Sequence, residues 1–80
     1  MRVEVRLYAT LADQAPTRRA GDPFDVGLDQ SDSVSDLIRK LEIPEAAVHL
    51  VIVNGRPIQD RGQRLSHRDR VALFPPVGGG

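Results

Sequence analysis

The chain contains no cysteine and no tryptophan, and it has one tyrosine, two phenylalanines and a single lysine, Lys40. Without cysteine there is no disulfide, no thiolate nucleophile and no cysteine-based zinc site. Eleven acidic residues balance eleven basic ones, so the net charge is zero. With so few aromatics, this balance excludes the basic, stacking footprint of a nucleic-acid binder. There is no signal peptide and no apolar run of membrane-spanning length, so no membrane association is expected and a cytoplasmic location is. One lysine gives poor support for chain-forming conjugation on the protein itself. Neither metal-ligand spacing, a phosphate-cradling glycine loop nor a nucleophile motif is present, so no metal and no bound cofactor are expected. His49 and His67 are isolated, which assigns each a structural or solvated role.

Eighty residues make one small domain, residues 1–80. Such a chain buries only about 60–65% of its unfolded surface, which leaves little room for an internal catalytic cleft. What it does contain is a legible order of elements. Residues 2–9 alternate, with Val3, Val5 and Leu7 on one face and Arg2, Glu4 and Arg6 on the other, the pattern of a half-buried strand. Residues 9–15 suit one or two helical turns with Thr10 as cap. Residues 16–23 form a loop whose Arg18 and Arg19 read as solvated. Phe24, Val26 and Leu28 alternate in a second, edge or hairpin strand.

The strongest helix start follows. Ser33 is a natural N-cap, with Asp36 in the capping-box position. Val34, Leu37, Ile38 and Leu41 form one apolar stripe, which must lie across a sheet. Arg39 and Lys40 suit the negative end of the helix dipole, and Pro44 is expected to stop the helix. Residues 48–53 contain four consecutive apolar residues, Leu50 to Val53, as in a strand buried on both faces. In so small a domain the one helix can cover only one sheet face, so the other face of this strand is either covered by a loop or left apolar for a partner. Asn54-Gly55 predicts a tight hairpin turn with two positive φ angles. The return strand at residues 56–58 contains Pro57 and belongs at an edge. Leu65 is the one apolar anchor in a polar stretch from 59 to 70. In the last strand Val71 and Leu73 point one way and Ala72 and Phe74 the other; if Val71 and Leu73 meet the helix stripe, Phe74 faces outward, as a partner anchor would, and otherwise it caps the core edge.

After Phe74 the chain changes character. Pro75 and Pro76 fix φ and remove two donors, a stiff spacer. Gly78, Gly79 and Gly80 follow as a loose tip, ending in a carboxylate that would reach roughly 16 Å beyond Pro76. A glycine tip can enter a narrow channel, and no Cβ shields its carbonyl carbon. The bland alternative is an inert frayed end.

The run Arg70-Val71-Ala72-Leu73-Phe74-Pro75-Pro76-Val77, followed by Gly79-Gly80, resembles the C-terminus of the MoaD/ThiS family of sulfur carriers, most of all the small subunit of molybdopterin synthase. The resemblance extends over the whole chain in length and element order. It implies an α+β, β-grasp (ubiquitin-like) fold: a mixed sheet of four to five strands, terminal strands parallel at its centre, one main helix on one face, and residues 75–80 as an extended Gly-Gly tail. It further implies that Gly80 is adenylated by a partner enzyme using ATP. A sulfur donor protein then converts Gly80 to a thiocarboxylate. Gly79 lets the tip thread, while Phe74, Pro75, Pro76, Val77 and Gly78 contact the partner, which in the molybdopterin branch is the large synthase subunit. Having no cysteine, the chain would have to carry sulfur on the carboxyl. The family's turn before the last strand usually has glycine where Arg68 stands, so Arg68 is expected to bear strain or the turn to differ. A carrier for thiamine synthesis, a ubiquitin-like modifier joined through Gly80 and a small binding module with an inert tail remain compatible with the same residues.

Overall fold

Alternation of apolar and polar residues builds five strands, and one amphipathic helix covers them. In the computed structural model, which describes residues 1–77, these are β1 (Arg2–Leu7), β2 (Phe24–Gly27), β3 (Leu50–Val53), β4 (Arg56–Ile58) and β5 (Arg70–Phe74). The helix α1 spans Val34–Lys40, and short 3₁₀ segments occupy Ala9–Gln14 and Glu45–Ala47. The sheet order is β2-β1-β5-β3-β4. β1 and β5 pair in parallel at the centre, and the other pairs are antiparallel. This is the mixed β-grasp sheet expected above. The expected tip, Gly78, Gly79 and Gly80, lies outside the described residues.

The core lies between α1 and one sheet face. Val3, Val5 and Leu7 of β1, Val51 and Val53 of β3, and Val71 and Leu73 of β5 are buried against Val34, Leu37 and Ile38. Phe24 and Val26 of β2 and Ile58 of β4 close its edges. Leu65 is also buried and anchors the long polar segment before β5.

The start of α1 is satisfied donor by donor. The Ser33 N–H donates to Asp36 Oδ2 at 2.8 Å, and the Asp36 N–H donates to Ser33 Oγ at 3.3 Å. Val34 and Ser35 N–H donate to the carbonyls of Gln63 and Arg61, at 3.0 and 2.9 Å. The free amides of a helix start therefore all have partners. Arg61 also grips the other side of its segment. Its Nη1 donates to the Glu45 carbonyl at 2.9 Å and to Glu45 Oε2 at 3.3 Å, and its Nη2 donates to the Val48 carbonyl.

Several local expectations are corrected. Thr10 is not a cap: it lies inside the first 3₁₀ segment, whose N-cap is Tyr8 with no side-chain cap bond. Ala9 adopts φ 52°, which ends β1 at Leu7. Pro44 does not stop α1. The chain turns two residues earlier, where Glu42 adopts φ 61°. The Glu42 N–H donates to Arg39 O at 3.0 Å and the Ile43 N–H to Ile38 O at 3.2 Å, a Schellman closure with glutamate in the usual glycine position. Ile43 is buried in the core cluster, and that burial offsets the backbone cost. For β3 the open alternative holds: it is buried on one face, and Leu50 and Ile52 are half-buried on the other, which is left apolar. His49 precedes β3 and is exposed.

The two turns behave as their chemistry requires. Asn54 and Gly55 have φ 53° and 82°, matching the hairpin expected between β3 and β4. Arg68 has φ 71° at the third position of the turn from Ser66 to Asp69, closed by Asp69 N–H to Ser66 O at 3.0 Å. The turn thus keeps a geometry that favours glycine and imposes it on arginine.

Arg68→Gly is expected to stabilise the fold by about 0.5 kcal/mol, the relief of left-handed backbone exceeding the added chain entropy. A rise of about 2–4 °C in the thermal midpoint would show it. Asp36 gives a second test. The hydrogen bond from the Ser33 backbone, then that from its hydroxyl, holds the Asp36 carboxyl below its usual value, with Arg39 assisting. Its contribution is complete above the ordinary aspartate value of about 3.9 and is lost as pH falls through the lower folded-state value. An NMR titration of the Asp36 carboxyl should give a midpoint below 3.9, and Ser33→Ala should move it up.

Candidate functional site

The helix covers one sheet face. The other is bare, and the strand registers place its side chains in rows. Nearest the end of β5, Phe74 pairs with Leu50, and Tyr8 stands just beyond the end of β1. The next row is Arg6, Ala72, Ile52 and Pro57. The third is Asp25, Glu4 and Arg70, and Arg2 lies beyond it. The face is therefore apolar beside the tail and charged away from it.

The aromatic row is a built feature. The rings of Tyr8 and Phe74 stack with centroids 4.4 Å apart and planes 8° from parallel. Phe74 belongs to the outer face, not to the core. The backbone beneath is held on both sides: Tyr8 N–H donates to Leu73 O at 3.2 Å, and His49 N–H donates to Phe74 O at 2.8 Å. Pro75 and Pro76 then have no N–H to give, so sheet pairing stops at Phe74. Pro75 is half-buried, Pro76 is exposed, and Val77 is 89% exposed.

Two depressions lie along this part of the sheet. One, of about 290 Å³, has Ile52, Val71 and Ala72 in its floor and Arg6 and Arg70 at its rim. The other, of about 340 Å³, lies between β3 and β4 with His49, Pro57 and Arg61 around it. Neither gathers a nucleophile with a base. Among the described residues no group of three or more histidines, cysteines or carboxylates is placed to hold a metal, and no helix is long and apolar enough to cross a membrane. The described part of the site can dock and aim.

The structure thus brings Phe74, Pro75, Pro76 and Val77 together at one end of the bare face, while Gly78, Gly79 and Gly80 lie outside the described residues. Sequence reasoning missed Tyr8, and of its two alternatives for the outer face of β3, a loop cover or an apolar face left open, the structure has the second. The signal for Tyr8 is the β1–β5 register, which joins residues far apart in sequence and leaves no local pattern.

A five-stranded mixed sheet with one helix on one face, and an aromatic pedestal under an outgoing proline spacer, define a ubiquitin-like β-grasp domain. The chain belongs to the ThiS family, whose model matches residues 5–80, and is of the MoaD/ThiS sulfur-carrier type. No curated protein matches it. Among solved structures it is similar to small archaeal modifier protein 1 of Haloferax volcanii, at 26% identity over the whole of both chains with a TM-score of 0.71. It is also similar to subunit 1 in the complex of subunits 1 and 2 of the molybdopterin-converting factor from Helicobacter pylori, at 25% identity over the whole of both chains and a TM-score of 0.64. A putative molybdopterin converting factor subunit 1 from Pyrococcus furiosus shares the fold at 23% identity and a TM-score of 0.72, over 96% of this chain and 99% of that one.

The Tyr8–Phe74 stack should be separable from folding. Tyr8→Ala is expected to cost about 1 kcal/mol, the scale of one aromatic pair, and to leave a folded domain. Urea denaturation of Tyr8→Ala, Phe74→Ala and the double variant should show coupling between the two rings. Additive losses would mean that the rings contribute independently.

Proposed function

We propose that this chain is a sulfur carrier for molybdopterin synthesis, working as the small subunit of the synthase. The observation that carries the reading is the launch of the tail: β5 is pinned to both neighbours up to Phe74, the Tyr8 ring stacks on Phe74, and two prolines then end the sheet pairing ahead of an exposed Val77. A terminal carboxyl ionises near 3.5, so at neutral pH it is a poor electrophile. In the proposed cycle an adenylating partner joins the Gly80 carboxylate to the α-phosphate of ATP and pyrophosphate leaves. Sulfur from a donor protein then replaces AMP and yields the thiocarboxylate. The loaded tip, threaded past Gly79, enters the large synthase subunit and gives up its sulfur to the pterin precursor. Phe74, Pro75, Pro76, Val77 and Gly78 contact the partner, and Leu50, Ile52 and Pro57 extend that contact over the bare face. The molybdopterin branch is favoured by the Phe-Pro-Pro-Val run and by the likeness to subunit 1 of the Helicobacter pylori complex. All these steps belong to the cytoplasm.

A second reading, a modifier joined to other proteins through Gly80, is favoured by the likeness to the Haloferax volcanii modifier. A carrier for thiamine synthesis would use the same loading chemistry.

Intact mass spectrometry after incubation with an adenylating enzyme, ATP and a sulfur donor separates these readings. The expected result is the exchange of one oxygen for one sulfur, confined to the C-terminal peptide and absent when Gly79 and Gly80 are deleted. Restoration of molybdenum-cofactor synthesis in a host lacking the small subunit selects the molybdopterin branch. Adducts on other proteins without sulfur exchange would replace the carrier reading by the modifier.

A further inference from the structure

The end of the sheet remote from the tail carries a further concavity, of about 430 Å³, around Arg2, Glu4, Asp25, His67, Arg68 and Arg70. That volume suits a small ligand. Its residues come from β1, β2, β5 and the turn before β5, so the fold and not one flexible loop assembles it. We propose that this concavity is a binding site for the phosphate group of a small molecule.

Three arginines, Arg2, Arg68 and Arg70, line it. Among the described residues, none of Arg2, Arg68 and Arg70 takes part in an ion pair. The nearby acids are mostly engaged. Asp69 accepts from the Ser66 N–H and from Asn54 Nδ2, both at 2.8 Å, and Glu4 Oε1 accepts from Arg6 Nε at 3.2 Å. Glu4 and Asp25 both line the concavity and oppose an anion, so three arginines there stand against two carboxylates. Arginine suits phosphate because its planar fork can give two parallel hydrogen bonds to two oxygens.

The arginine backbones are fixed in advance. The Arg68 N–H donates to Arg2 O at 2.7 Å, and the Arg70 N–H donates to Asn54 Oδ1 at 2.9 Å. The Arg2 N–H donates to His67 Nδ1 at 3.0 Å, which leaves Nε2 of the neutral ring to carry a proton at the lining of the concavity. Arg68 holds its place with φ 71°, a conformation that works against stability. Backbone strain of this kind gathers at sites with a function. Arg18, in an exposed loop, also has a positive φ of 57°, so the backbone of Arg68 counts toward the site only together with its place in the concavity.

The test is an NMR titration of the labelled full chain at constant ionic strength. Inorganic pyrophosphate is added in one arm, AMP in another, and sodium chloride in the reference arm. Saturable shifts are expected at the amides of Arg2, Glu4, His67, Arg68 and Arg70, but not at Arg18 and Arg19. Saturation by pyrophosphate alone identifies a free diphosphate as the source, and saturation by AMP identifies the phosphate of a nucleotide; either supports the site. Arg68→Gly and Arg70→Gln are each expected to weaken binding about fivefold or more, as loss of a charge-assisted contact does, and Asp25→Asn to tighten it about twofold. The telling combination is Arg68→Gly binding more weakly while melting no lower than the parent. Linear shifts, equal shifts at Arg18 and Arg19, or unchanged binding by Arg68→Gly would overturn the proposal. So would saturation by an acidic peptide with none by either phosphate compound, which would make this a protein-docking surface.

Discussion

The parallel pairing of β1 with β5 holds the rest of the molecule in place. A parallel pair cannot be closed by a hairpin, so the chain between the two strands must cross the sheet and return. Almost everything between Leu7 and Arg70 serves that crossing: β2 lines one edge, α1 seals the inner face, and β3 with β4 fills the other edge. The pairing also fixes the site. It sets Leu7 beside Leu73 in the core and so brings Tyr8 up to Phe74 on the outside. Burial of the inner face and placement of the tail are consequences of the same register.

Parity was the part of this fold most legible in the sequence. Alternation set Val3, Val5 and Leu7 on one face of β1, and it set Val71 and Leu73 opposite Phe74, because a strand admits only two faces; which of those two faces meets the helix was settled by the structure. The capping box at Ser33 and the turn at Asn54-Gly55 were legible because each is decided by residues that touch their own neighbours. Three features were not. Glu42 takes a left-handed conformation because Ile43 must reach the core, a tertiary demand that overrides a preference for glycine. Arg61 ties α1, the second 3₁₀ segment and the entry to β3 together across many residues of chain. Tyr8 meets Phe74 through a register that no local spacing encodes. At the site, the proline spacer and its aromatic neighbour were legible as types of residue, and their mutual support was not.

Composition gains meaning once the rows of the bare face are known. A net charge of zero suggests an undistinguished surface, yet the face divides into an apolar half beside the tail and an arginine-bearing half away from it. Absence of cysteine fits a domain whose described side chains offer recognition and no covalent chemistry. Enzymatic work of the kind proposed would then fall to partners, with the domain supplying a rigid base and a defined exit for the chain.

The bonding of β5 on both sides has a mechanical consequence. Any pull on the outgoing segment runs along β5, which is held in parallel register by β1 and in antiparallel register by β3. Sliding the strand lengthwise would shear both ladders at once; there is no end from which the bonds could be peeled singly. The load reaches the centre of the sheet before any weaker edge strand feels it. The domain is thus built like a handle, in which a tug on the end is borne by the part least able to give way.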